Sequence, residues 1–198
     1  MTGAGAALFP PGRVGNKIAD NRVFTLSERN RHVRFEREIL PHLDAAHNLA
    51  RWLTGNDADA ADVVQEAAVR ALSFFEGFRG GDARAWLLRI VRNTCYTWLR
   101  QNRAEKMTPL DEARHDAGER AANPEQTAIA RADRRTLERA IEELPVEFRE
   151  ALVLREIEGL AYKEIAHVTG VPMGTVMSRL ARARNLLRER LVPPEAAS

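Results

Sequence analysis

The chain has 198 residues, 44% of them hydrophobic and 29% charged, the balance of a globular protein, which excludes disorder throughout. Its net charge of +2 conceals 30 basic and 28 acidic residues, so the informative question is whether the two signs are segregated along the chain. A single cysteine, Cys95, excludes an internal disulfide and any multi-cysteine metal site. The apolar run Ala6-Ala7-Leu8-Phe9 ahead of Pro10 is too short for a signal peptide, and no later run approaches the roughly 18 residues of a membrane span. A soluble cytoplasmic protein is expected.

Residues 1–26, rich in Gly, Ala and Pro without periodicity, read as a flexible tail. From Ser27 to Arg103 the apolar spacing is helical, through Phe35, Ile39 and Leu40 and then Leu43, Leu49 and Leu53, with Pro41 placed to open a helix. Asp57 and Asp59 suit the start of a helix running to about Phe75, and Asp82 suits the start of another over Ala83–Arg103. Residues 104–126 carry mixed charge, two prolines and almost no large apolar side chain, the composition of a linker. Periodicity resumes over 127–192, at Leu137, Ile141 and Leu144, then Phe148, Leu152 and Ile157, with breaks at Pro145, Gly159 and Gly170. This reads as a set of short helices ending in a longer one over Pro172–Leu191, and residues 193–198 are a tail. The fold class is therefore all-α, two small helical domains, 27–103 and 127–192, joined by a flexible linker.

In the second domain a small residue, Ala166, precedes Gly170 by four positions, and the aliphatic Val176 follows, the spacing of a helix-turn-helix. On the last helix Val176, Leu180, Ala183, Leu187 and Leu191 share a core-facing stripe, while Thr175, Ser178 and Arg182 project to the opposite side. Arg179, Arg184, Arg188 and Arg190 flank that face, and Glu189 is the sole acid between Pro172 and Val192. Arginine grips guanine bidentately or holds a phosphate, so such a helix suits the major groove. A solvated basic face on a structural helix is the plainer reading of the charge alone.

In the first domain Ala83–Ala104 holds no acid but carries Arg84, Arg89, Arg92, Arg100 and Arg103. Leu87, Ile90, Val91, Thr94 and Trp98 make one stripe, with Cys95 as filling at its border. Trp86, Arg89, Asn93, Tyr96 and Arg100 fall together on another side. Rings to stack on bases, cations for phosphates and an amide for base edges are what an unwound strand requires. The alternative is that Trp86 and Tyr96 pack against a neighbouring helix.

The stretch Gly159–Arg184, with its Pro-x-Gly-Thr-Val-x-Ser-Arg core at Pro172–Arg179, resembles the fourth conserved region of extracytoplasmic-function sigma factors, within the sigma-70 family. By that resemblance the last helix reads the minus-thirty-five promoter element through Thr175, Met177, Ser178, Arg179, Arg182 and Arg184. Ala161 stands where the family often has serine, a hydroxyl cap worth about 1 kcal/mol, and Met177 and Ala181 replace basic or aromatic side chains of relatives. The 83–103 helix is similar to the family's second region, which melts the minus-ten element; the resemblance implies contacts by Arg79, Trp86, Arg89, Asn93, Tyr96 and Arg100. The loop Phe78-Arg79-Gly80-Gly81-Asp82 matches the family loop that captures a flipped base, and Asp62, Gln65 and Glu66 match its contact with core polymerase. The implied partners are core RNA polymerase, promoter DNA and an anti-sigma factor, with no cofactor and no small-molecule substrate.

Enzyme readings fail on spacing. A calcium loop counted from Asp57 would place Asp62 at its glycine and Ala68 at its bidentate glutamate, and His42 and His47 are five apart where one helical face needs four. No metal site, phosphate-binding glycine loop or catalytic residue is expected. Two rivals stay open: an ordinary helix-turn-helix repressor or activator, which has no use for the aromatic helix, and a sigma mimic that sequesters an anti-sigma factor, which has no use for the DNA-reading arginines.

Overall fold

The computed structural model describes residues 26–105 and 128–191, and among these there is helix and turn but no strand. The expected tail 193–198 lies outside the described residues, as do residues 1–25 of the expected tail 1–26 and residues 106–126 of the expected linker 104–126. The elements are α1 (Leu26–Glu38), α2 (Leu43–Thr54), α3 (Asp57–Phe74), α4 (Ala83–Glu105), α5 (Ala128–Glu142), α6 (Val146–Leu152), α7 (Tyr162–Thr169) and α8 (Met173–Leu191).

Pro41 opens a 3-10 turn, Leu40–His42, that feeds α2. Helix α2 buries Ala46, Leu49, Ala50 and Leu53 and stops at Gly55, whose φ of 93° is left-handed backbone that glycine adopts without cost. Asn56, rather than Asp57 or Asp59, caps α3: its side-chain oxygen accepts from the Asp59 amide at 2.8 Å, and the two aspartates lie in the first turn, where the helix dipole favours negative charge. The buried stripe of α3 is Ala60, Val63, Ala67 and Ala71, side chains small enough to bring its backbone close to α2 and α4. Asp82 starts α4 as expected, accepting from the Ala85 amide at 2.9 Å. Helix α4 is the centre of the N-terminal core, with Leu87, Leu88, Val91, Thr94 and Cys95 all buried, and it runs two residues past the expected boundary, to Glu105.

Phe35, Phe75, Phe78 and Trp86 form a ring cluster at the end of this bundle, with Phe35–Phe75 centroids at 5.2 Å and Phe78–Trp86 at 5.0 Å. Arg34 lies 5.0 Å over Phe75 and donates to the Phe78 carbonyl at 3.1 Å. The loop that follows is thus anchored at its first residue and turns on Gly80 and Gly81, both left-handed at φ 89° and 105°.

In the C-terminal domain α6, α7 and α8 pack around Leu152, Leu154, Ile165, Val168, Val176 and Leu180. The helix-turn-helix spacing is realised: Gly170, at φ 70°, donates its amide to the Ala166 carbonyl at 2.9 Å, and Val176 is buried. Lacking a hydroxyl at Ala161, α7 keeps the other half of a capping box, the Glu164 carboxylate accepting from the Ala161 amide at 2.6 Å. One element was not expected. Val153–Ile157 is a π turn, closed by the Glu158 amide donating to the Val153 carbonyl at 3.0 Å.

Burial also fades where periodicity promised core. Leu40 and Leu137 are 42% exposed, Leu191 is 38% exposed, and Leu187 and Trp98 are half-buried. The stripe of α8 is covered by α6 and α7 only along its first turns, through Ala183.

Candidate nucleic-acid interface

The C-terminal candidates lie along α8. Met177, Ser178, Arg182 and Arg184 are exposed and Thr175 is half-buried, so the outward face expected of the helix is presented to solvent. Arg184 is held by Glu156 at 2.6 Å, which raises its already high pKa and fixes the guanidinium at the edge of the face. Arg179 differs from the rest. Its side chain turns inward and stands 3.9 Å from the buried Glu150 carboxylate.

The N-terminal candidates gather around two adjoining recesses of about 280 and 290 Å³. The first is lined by the glycine loop, Arg79 and Trp86; the second by Trp86, Arg89, Asn93 and the exposed ring of Phe74. Trp86 is shared by both, and its other face rests on Phe78, so the packing and the binding readings of this ring are compatible. Arg100, two turns along, is exposed and donates to the Thr97 hydroxyl at 3.3 Å. Tyr96 leaves the group: its hydroxyl donates to Glu150 at 3.3 Å and Arg92 covers its ring at 4.1 Å. Burial and the nearby Glu150 push the Tyr96 phenol well above its usual range.

Asp62, Gln65 and Glu66 are exposed together on the outer face of α3, with Glu66 held by Arg70 and Val69 63% exposed beside them. Cys95 is buried as filling, its thiol pushed up to about 12 by burial.

Sequence reasoning missed four residues of this region. His167 of α7 lines both recesses, Phe74 lines one, and Glu150 and Glu158 bring the C-terminal domain onto α4. Glu150 is 0% exposed and accepts from Arg92 Nε at 2.8 Å. Burial holds its carboxyl above the ordinary carboxylate range, outweighing the opposite pull of Arg92. Glu158, also buried, accepts from Arg84 and Asn48. One signal was available: Glu150 directly precedes the apolar run Ala151–Leu154, where an unpaired charge would be costly.

The "Sigma-70 region 2" family model matches residues 39–105 and "Sigma-70, region 4" matches residues 134–187. The ECF RNA polymerase sigma-E factor of Escherichia coli is 36% identical over 143 residues, spanning 68% of this chain and 75% of that protein. The chain belongs to the extracytoplasmic-function sigma factors. Another relative, the ECF RNA polymerase sigma factor SigE of Mycolicibacterium smegmatis, is 37% identical over 153 residues, 77% of this chain but 60% of that longer protein. Among solved structures, the sigma factor RpoE from Bartonella quintana, in complex with the anti-sigma factor NepR, matches 80% of this chain and 96% of that one, with a TM-score of 0.65 and 28% identity. CnrH, in complex with the cytosolic domain of CnrY, matches 86% of this chain and 90% of that one, with a TM-score of 0.56 and 26% identity. The helix-turn-helix of this sigma factor falls inside the region 4 match and the acid-free α4 inside the region 2 match. Among the described residues no helix is long and apolar enough to cross a membrane, and no group of three or more His, Cys, Asp or Glu is placed to hold a metal ion.

Proposed function

We propose that this chain binds core RNA polymerase and directs it to a particular set of promoters. The observation that carries the reading is the pairing, in one chain, of a presented helix-turn-helix with a second, acid-free helix whose aromatic and arginine side chains surround recesses in the other domain. A duplex-binding regulator needs the first and has no use for the second.

Three steps follow, with 27–103 and 127–192 as the working domains. The Asp62, Gln65 and Glu66 face of α3 docks on polymerase. The α8 face of Thr175, Met177, Ser178, Arg182 and Arg184 reads the upstream element in the major groove, where a good bidentate contact is worth about 1 to 3 kcal/mol. Arg179 joins it once released from Glu150. The α4 side, with Arg79, Trp86, Arg89 and Asn93 and then Tyr96 and Arg100, captures the unwound strand by stacking and by charge on phosphates. The chain performs no chemistry of its own, works in the cytoplasm, needs no cofactor or small-molecule substrate, and is held in check by an anti-sigma factor.

The test is reconstitution. Purified chain added to core polymerase should give promoter-specific transcripts from genomic DNA, and failure on every promoter tested would sink the reading. A gel shift with and without polymerase separates it from the repressor alternative, which would bind duplex DNA tightly alone.

A further inference from the structure

Arg34 stands half-buried on α1, ahead of the span 39–105 that the region 2 model matches. Its Nε and one terminal nitrogen donate to the two Glu38 oxygens at 3.1 and 3.4 Å, and the same terminal nitrogen donates to the Phe78 carbonyl at 3.1 Å, 44 residues along the chain. The guanidinium carbon lies 5.0 Å from the centre of the Phe75 ring and 5.9 Å from that of Phe78. Glu38 aligns the planar fork and the rings back it, so the direction of the donor aimed at Phe78 is fixed.

The turn Phe75–Gly77 ends at Phe78, where the backbone becomes extended at φ −76° and ψ 104°. Its carbonyl lies past the turn's own ladder, and Arg34 supplies the donor. The loop from Phe78 to Asp82 therefore has two anchors. One is Asp82, built on α4 itself, and the other is lent by α1. Between them Gly80 and Gly81, both left-handed, contribute no side chain to hold the path. The Phe78 ring stacks on Phe75 at 5.8 Å and meets Trp86 at 5.0 Å, so a shift of Phe78 moves both the loop and the ring that lines the two recesses. A second link from α1, Arg31 to Glu76 at 2.8 Å, reaches the same turn, but the Glu76 carboxylate is 75% exposed and such a pair holds little in water.

We infer that Arg34 is a positioning residue for base selection, holding the 78–82 loop and Trp86 where a base of the unwound strand is received. It lines neither recess and does not touch that base. This rests on the strand-capture reading above. A pocket selects among bases only if its walls are held within about 0.5 Å of the accepting geometry. A loosened loop still attracts the strand through charge, which is indifferent to base identity. Loss of Arg34 therefore costs selection rather than affinity. Lysine does not replace it, because an ammonium has no planar fork to serve Glu38 and Phe78 in fixed directions while lying against Phe75.

The experiment combines the full chain with core polymerase and measures transcripts from one promoter it uses and from templates in which each base pair of the upstream and minus-ten elements is changed in turn. Arg34→Met and Arg34→Lys should each lower discrimination at one minus-ten position about fivefold or more, and leave every upstream position as it was. Gly80→Ala, which strains a left-handed residue of the loop, should relax the same position. Glu76→Gln removes the other α1 link and should change neither element. Loosened packing alone would lower transcripts from all templates alike, so a uniform loss in both Arg34 variants overturns the inference, as does discrimination kept intact by Arg34→Lys. Relaxation in Gly80→Ala with both Arg34 variants unchanged overturns the role of Arg34 and leaves strand capture standing. No relaxation in any of these variants overturns strand capture by the loop as well.

Discussion

Helices α4 and α8 are alike in composition, long, rich in arginine and almost without acid, yet the structure treats them differently. The outward arginines of α8 face solvent, and its one inward cation, Arg179, points at the interface. On α4, Arg84 and Arg92 are occupied by glutamates of the other domain while Arg89 and Asn93 line a recess under His167. The difference teaches that a basic face in a sequence states a capacity, and that the rest of the fold decides whether it is on offer. On α4 the fold takes Arg84 and Arg92 for the contact between domains and leaves Arg89, Asn93 and Arg100 exposed.

The largest effects test whether the two helices share one cooperative unit. Leu87→Ala in α4 and Leu180→Ala in α8, both 1% exposed, should each cost about 2 to 5 kcal/mol in denaturant unfolding. Because the two domains share one apolar core, each should move one common transition; two separate midpoints in the unsubstituted chain would break the comparison at its root. Next in size, Arg182→Ala should cost about 1 to 3 kcal/mol of discrimination between correct and altered upstream elements. Its α4 counterpart Asn93→Ala should leave duplex binding alone and slow strand opening about tenfold, roughly 1.4 kcal/mol, as read by permanganate reactivity of unpaired thymines. Equal effects of the two on both assays would erase the division of labour. Asn56→Ala, which removes the cap of α3, should lower unfolding free energy by about 1 kcal/mol without changing promoter choice.

The smallest effect is one of pH. The Glu150 carboxyl is held above its ordinary range in the folded chain, so the folded state keeps a proton that the unfolded state has released. Its contribution to stability is therefore fullest below the ordinary carboxylate value of about 4.3 and is lost as pH rises through the raised value. Melting curves of the Glu150→Gln variant should lack this decline; identical pH profiles would show that Glu150 keeps its ordinary pKa.

Much of this molecule was legible without coordinates, because its determinants are local. The cap at Asp82, the turn at Gly170 and the apolar stripe of Val176, Leu180 and Ala183 each depend on residues within a few positions of one another. The misplaced features have physical causes too. Asn56 was passed over for Asp57 because both residue types cap helices and only the backbone angle separates them. Leu191 and Trp98 lie on the correct stripes but beyond the reach of their covering helices. The interdomain pairs were illegible because their partners are 54 to 110 residues apart, and no period connects Asn48 to Glu158 or Tyr96 to Glu150.

The π turn at Val153–Ile157 gives the Glu150 and Glu158 contacts an unusual tolerance of deletion. Loss of a single codon there would let the segment rewind as ordinary α-helix, and Glu158, then seven positions after Glu150, would stay within about 20° of it around the axis. The helix-turn-helix that follows would keep its own internal contacts, since Ala166, Gly170 and Val176 all lie downstream. One codon fewer would thus leave both contacts in place, whereas one codon more would swing Glu158 around the axis by about 100°, with α8 unaltered in sequence.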